Sequence, residues 1–164
     1  MTRKDIYKSI REWLDGNKWH YECSSNSSII YMGVALKSEI NKLRVIVDVR
    51  DDFFLVYAII GIGGANNILE LMKFLTMANY GLINGNFEMD VSDGEIRYKT
   101  YVNCDGLKEL PPQIVADSVL CACHTVKRYS SGIARLCMFP GQFTAESEIE
   151  KCEKWQAREK VVAQ

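Results

Sequence analysis

The chain has 164 residues, 48% hydrophobic and 25% charged, which suits one compact domain with a real core. Its 20 basic and 21 acidic residues give a net charge of −1, so the basic stripe expected of a nucleic-acid-binding protein is not there to be read. The longest apolar run, Phe53 to Ile62, is too short to span a bilayer.

The N-terminal stretch MTRKDIYKSIREWL is amphipathic, with no apolar signal-peptide core, so a cytoplasmic location and no membrane partner are expected. Thr2 with Asp5 three residues on predicts a capped helix start. Ile6, Ile10, Trp13 and Leu14 share a face, and Gly16 is the expected stop after about four turns. Trp19 to Cys23 reads as a short strand, and Ser24 to Ser28 has turn composition. The next strand, Ile29 to Leu36, is apolar on both faces. Leu43, Val45, Val47 and Val49 alternate with Arg44, Ile46, Asp48 and Arg50, the pattern of a half-buried strand. Asp51-Asp52 is a two-residue turn, and Phe53 to Ile60 returns.

Gly61 to Asn67 leads into a second helix, Ile68 to Tyr80. Ile68, Leu71, Met72, Leu75, Ala78 and Asn79 share one broad face, while Leu69, Phe74 and Met77 carry apolar character around the cylinder. That predicts burial on more than one side. Asn86 to Asn103 then reads as a β-hairpin turning at Asp93-Gly94. With that turn, Val91 faces Ile96, Met89 faces Tyr98 and Phe87 faces Thr100; Asp90 faces Arg97 and Glu88 faces Lys99 on the other side. Pro111-Pro112 opens a third helix to about Leu136, with Val115, Val119, Ala122, Val126, Tyr129 and Ile133 as its core face. After Pro140-Gly141, Thr144, Ser147 and Glu148 open a charge-rich last helix to about Lys160 with a narrow stripe of Ile149, Cys152 and Trp155, either a loosely docked tail or an interaction helix. The order α-β-β-β-β-α-β-β-α(-α) is an α+β fold, an antiparallel sheet of meander plus hairpin against helices. Residues 1–140 form the domain and 141–164 a charged helical extension.

Few residues carry chemistry. Asp117, Cys121, His124 and Arg128 line one stripe of the third helix, opposite its core face. As a nucleophile set it fails, because Cys121 sits between the other two and Asp117 cannot orient the far side of His124. Cys121 and Cys123 diverge by about 200° on a helix and cannot share a metal; Cys121 and His124 could, but two more ligands are missing from the local sequence. His20 and Cys23 sit three apart on a strand and face opposite sides. Gly61, Gly63 and Gly64 could offer amides to a phosphate, but the spacing is no dinucleotide fingerprint and no Lys-Ser/Thr follows. Asn79 on an apolar face needs partners, and at a helix end it can bond strand or loop backbone. No catalytic, cofactor-binding or metal residue is therefore assigned. The six cysteines (Cys23, Cys104, Cys121, Cys123, Cys137, Cys152) are expected as reduced thiols.

From Leu71 to Gly106 the sequence resembles the YbjN family of bacterial proteins. The matching residues are Asn79, then Gly85-Asn86-Phe87-Glu88-Met89-Asp90, then Asp93-Gly94-Glu95-Ile96-Arg97-Tyr98-Lys99, with Tyr129 near the end of a long helix. Pro111-Pro112 and the segment after Gly141 depart from the pattern. The resemblance implies the fold of type III secretion chaperones and a role as a sensory transduction regulator. Such chaperones are homodimers that bind extended protein segments, and the family has no established catalytic residues. The expected function is a non-enzymatic, homodimeric protein-interaction module with an unknown protein partner. The alternative is a small-molecule or nucleotide sensor using Gly61 to Asn67 or the stripe from Asp117 to Arg128.

Overall fold

The computed structural model describes residues 1–24 and 28–162, with side chains as far as Lys154. The centre of the SSNSS turn and the side chain of Trp155 lie outside the described residues. Helix α1 (Arg3–Gly16) leads to strands β1 (Glu22–Cys23), β2 (Ile29–Ala35), β3 (Lys42–Val49) and β4 (Phe53–Ile60). A short 3-10 turn (Ala65–Asn67), α2 (Ile68–Tyr80), β5 (Asn86–Met89), β6 (Ile96–Asn103), α3 (Pro112–Met138) and α4 (Ala145–Val162) follow. The element order is the expected one. All six strands pair antiparallel in one sheet, ordered β1-β2-β3-β4-β6-β5.

Period-two alternation places the core. Leu43, Val45, Val47 and Val49 of β3 and Phe54, Val56, Ala58 and Ile60 of β4 turn inward, with Ile96 and Tyr98 of β6. Against them pack Ile6, Ile10 and Leu14 of α1 and the whole expected face of α3, from Val115 to Ile133. The helices cover this one side, so the other face of the sheet is left open. There Ile46, Phe53, Leu55, Tyr57 and Ile59 are only half-buried. Strand β2 is accordingly buried on one face alone: Ile30 and Met32 point in, and Tyr31, Gly33 and Ala35 are exposed.

The hairpin keeps its faces but not its register. Phe87 pairs with Tyr98, Glu88 with Arg97 and Met89 with Ile96, two residues away from the expected pairing. A shift of two preserves which side each residue faces, so the apolar pattern cannot distinguish the two pairings. The loop chemistry decides. The Asp90 carboxylate accepts from the Ser92 N–H at 2.9 Å and its hydroxyl at 2.6 Å, turning the chain early and leaving Val91 exposed. Gly94 lies at φ +79°, and a Cβ there would collide with the backbone of Gly64 and Ala65. Its carbonyl accepts from the Gly64 N–H at 2.9 Å, so the hairpin tip is seated on the loop leading to α2.

Helix α1 has its expected capping box, with Asp5 N–H donating to Thr2 Oγ1 and Thr2 N–H to Asp5 Oδ2. Its stop differs: Gly16 is still helical, and the chain reverses at Lys18, φ 58°. Lys18 N–H donates to Asp15 O at 3.1 Å and Trp19 N–H to Leu14 O at 3.0 Å, the bond pair of a Schellman motif with lysine where glycine is usual. Helix α2 buries Leu71, Phe74, Leu75 and Ala78 but exposes Leu69, Met72, Met77 and Tyr80, so its burial is one-sided rather than all round.

Two substitutions test these contacts by denaturant unfolding. Lys18→Gly relieves the left-handed backbone and should raise stability by about 1 kcal/mol. Gly132→Ala would gain helix propensity on an isolated helix, but a Cβ on this buried α3 position falls 2.6 Å from the ring of buried Phe74. It should therefore lower stability by about 1–2 kcal/mol net, the overpacking cost exceeding the propensity gain.

Candidate functional site

The stripe on α3 is not one site. Asp117 is exposed and accepts from Gln113 Nε2 at 2.5 Å, within the same helix. Cys121 is half-buried, with its Sγ 4.0 Å from the Tyr98 hydroxyl and 3.9 Å from Asn84 O. His124 is exposed. Arg128 turns to α4, pairing with Glu153 and lying 4.8 Å over the Tyr129 ring. Cys123 is buried on the core side, and burial pushes its thiol up to about 11, which keeps it protonated at neutral pH. His20 and Cys23 are both exposed, and His20 stands apart from the α3 residues on the rim of the open sheet face. Among the described residues no three His, Cys, Asp or Glu side chains converge to hold a metal ion.

The glycine loop and Asn79 do architectural work. One of the amides considered for a phosphate, that of Gly64, is taken by Gly94 O. Asn67 Nδ2 donates to Leu136 O at 2.9 Å and ties the start of α2 to the end of α3. Asn79 grips the sheet edge: its Oδ1 accepts from Phe87 N–H at 2.7 Å, and its Nδ2 donates to Phe87 O at 3.0 Å. The amide thus supplies edge strand β5 with the donor and acceptor that a neighbouring strand would have offered.

Helix α4 is fixed to α2 and α3 as far as its side chains are described. Ala145, Ile149 and Cys152 are buried. The first N–H of the helix, at Ala145, donates to Glu70 Oε2 of α2 at 2.7 Å. Glu148 is fully buried and accepts from Arg135 Nη1 at 3.0 Å and Lys151 Nζ at 2.5 Å. Burial alone would raise this carboxyl, but the bonds from Lys151 and Arg135 outweigh it and hold the group below the usual carboxylate range.

Among the described residues, three surfaces stand out. The first is a ridge on α2, where Leu69 (82% exposed), Met72 and Tyr80 (96%) follow i, i+3, i+11 spacing, with Met77 beside them and exposed Ile83 just beyond the helix. The second is a groove of about 930 Å³ on the open sheet face, bordered by His20, Tyr31, Gly33, Arg44, Gly61 and Glu95. The third is a cleft of about 450 Å³ where α3 and α4 meet the loop between β2 and β3. Its residues come from segments as distant as Lys37 and Lys151, so no local motif in the sequence announces it.

The Glu148 anchor carries a pH signature. A carboxyl held low in the folded state stabilises fully above its unfolded value of about 4.3, and that contribution is lost as pH falls through the lower folded value. Glu148→Gln should lower stability by about 2 kcal/mol at pH 6. In urea titrations from pH 6 to pH 3 the gap to the unmodified protein should close; a gap that stays constant would show that ionised Glu148 does not stabilise the fold.

No family model matches the chain, and no curated protein does. Solved structures do. YbjN of E. coli, a proposed transcription regulator, superposes with a TM-score of 0.56 at 11% identity, covering 77% of this chain and 92% of that one. A chain of the heterodimeric ExoU–SpcU complex from the type III secretion system of Pseudomonas aeruginosa gives 0.48 at 13% identity, covering 77% and 96%. The α+β order, the six-stranded antiparallel sheet with helices on one side and the YbjN superposition agree, and the chain has the YbjN fold.

Proposed function

We propose that this protein is a non-enzymatic, regulatory or chaperone-like protein-interaction module that works as a homodimer in the cytoplasm. The observation that carries it is the α2 ridge. Leu69, Met72, Met77, Tyr80 and Ile83 put apolar surface into water on the outer side of α2, interspersed with exposed Thr76 and with Lys73, which pairs with Glu146, although the same helix buries Leu71, Phe74, Leu75 and Ala78. Large apolar side chains exposed together on one element mark a contact surface. An isologous contact between two copies would cover it on both at once. The open sheet face, with Ile46, Leu55, Tyr57 and Ile59 half-buried, is then left for a protein partner. The six free cysteines fit a reducing compartment. Among the described residues no helix is long and apolar enough to cross a membrane.

Light scattering behind size exclusion tests the assembly, on the full chain, because α4 buries part of the core and its removal would expose α2 and α3. The unmodified protein should run at twice its 18.7 kDa mass. The Leu69→Glu/Tyr80→Glu variant, altered only at exposed positions, should run as a monomer with unchanged circular dichroism, its self-association weakened about 100-fold. A monomer at about 200 μM for the unmodified chain, a concentration at which even a micromolar dimer is populated, overturns the homodimer.

A further inference from the structure

We propose that the cleft between α3, α4 and the loop 36–41 is a binding site for a small phosphate-bearing anion. Lys37 of the loop, Lys127 and Arg128 of α3 and Lys151 of α4 converge on it, with Ser38, Ser130 and Ser131 between them. The site stands apart from the α2 ridge and does not depend on dimer formation.

The charges in the cleft are incompletely answered from within the protein. Arg128 pairs with Glu153, and Lys151 with Glu148. Lys37 and Lys127 have no carboxylate within ion-pair distance among the described residues. The one carboxylate lining the cleft is Glu39, which accepts from Ser130 Oγ at 3.2 Å. Like charges gathered in one concavity repel, and an anion placed among them removes that repulsion.

A second observation is independent of the lysines. The Arg128 side chain is only 12% exposed, and its Nε–H is buried with no hydrogen-bond partner. That nitrogen is closed to solvent and so to anything bound in the cleft, and Arg128 contributes its positive charge there rather than this donor. Ser131 adds a hydroxyl whose described contact is Cys152 Sγ at 3.8 Å, a weak pair in which either atom can donate.

The chemistry selects the anion class. Ammonium groups from three directions, the Ser131 hydroxyl and the charge of Arg128 match the three acceptor oxygens and near-double charge of a phosphoryl group, while Ser38 and Ser130 already donate to Ile40 O and Lys127 O. A carboxylate offers one charge and two oxygens to the same donors. A volume of about 450 Å³ admits a phosphoryl group with a small substituent, in the range of small-molecule sites. The ligand is therefore inorganic phosphate or a phosphorylated small molecule.

Thermal unfolding and titration calorimetry of the full chain decide it, with chloride at matched ionic strength as the control and inorganic phosphate, AMP and glucose 6-phosphate as probes. With a probe at ten times its dissociation constant, the midpoint should rise by about 3 °C over the chloride control. Lys37→Gln/Lys127→Gln alters two exposed, unpaired residues and should fold as before while binding at least tenfold more weakly. Glu39→Gln removes the lining carboxylate and should bind several-fold more tightly. Tighter binding of AMP or glucose 6-phosphate than of phosphate assigns the site to a phosphorylated metabolite, and equal binding assigns it to phosphate itself. A shift matched by chloride, or one that survives the double lysine change, overturns the site. So does calorimetry in which none of the three probes binds.

Discussion

The structure turns on Tyr129. Its ring is fully buried and meets Phe87 edge-on at 5.6 Å and Phe74 at 6.1 Å, while Phe87 meets Tyr98 at 5.0 Å. One side chain of α3 therefore joins α2, β5 and, through Phe87, β6. Edge-to-face pairs of this kind add about 0.5–1.5 kcal/mol each beyond the area they bury. The phenol brings a requirement too, because a buried hydroxyl needs a partner. It donates to Glu153 of α4 at 2.5 Å, and burial together with that bond pushes its own ionisation well above the ordinary tyrosine value. The last helix is in this way coupled to the centre of the core.

The docking of α4 follows the same logic of buried polar groups answered across elements. Glu70 caps its first turn, Glu148 is held by Arg135 and Lys151, and Lys73 pairs with Glu146. A charge-rich sequence thus folds as a packed helix because its charges meet specific partners on α2 and α3. Its acidic first turn also suits the positive end of the helix. The same docking creates the cleft beside Arg128, so a site for an anion and the attachment of the helix share residues.

Placing every helix on one side of a six-stranded sheet has a consequence for function. It leaves the opposite sheet face and the outer ridge of α2 uncovered, and both carry apolar side chains. Exposed apolar surface of this kind is suited to contact with another macromolecule. Asp117, Cys121, His124 and Arg128 of α3 do not meet at one point. Asp117 and His124 face water, Cys121 leans on Tyr98, and Arg128 belongs to α4's anchor.

The sequence by itself determined the elements, their order and the inward faces of β3, of the hairpin strands and of α3. Those rest on periodicity, and periodicity is local: Val45 and Val47, or Val115 and Val119, are placed by spacing alone. Asn79 was legible too, since an amide at a helix end must find backbone partners. Only the tertiary structure decided the rest. The hairpin register hung on Asp90 and on Gly94 seating against Gly64, because a two-residue shift leaves every face unchanged. Which apolar residues of α2 stay in water depended on what packs beside it, and composition carries no record of that. The basic cleft is assembled from Lys37, Arg128 and Lys151, which only folding brings together, so no window of the sequence contains it.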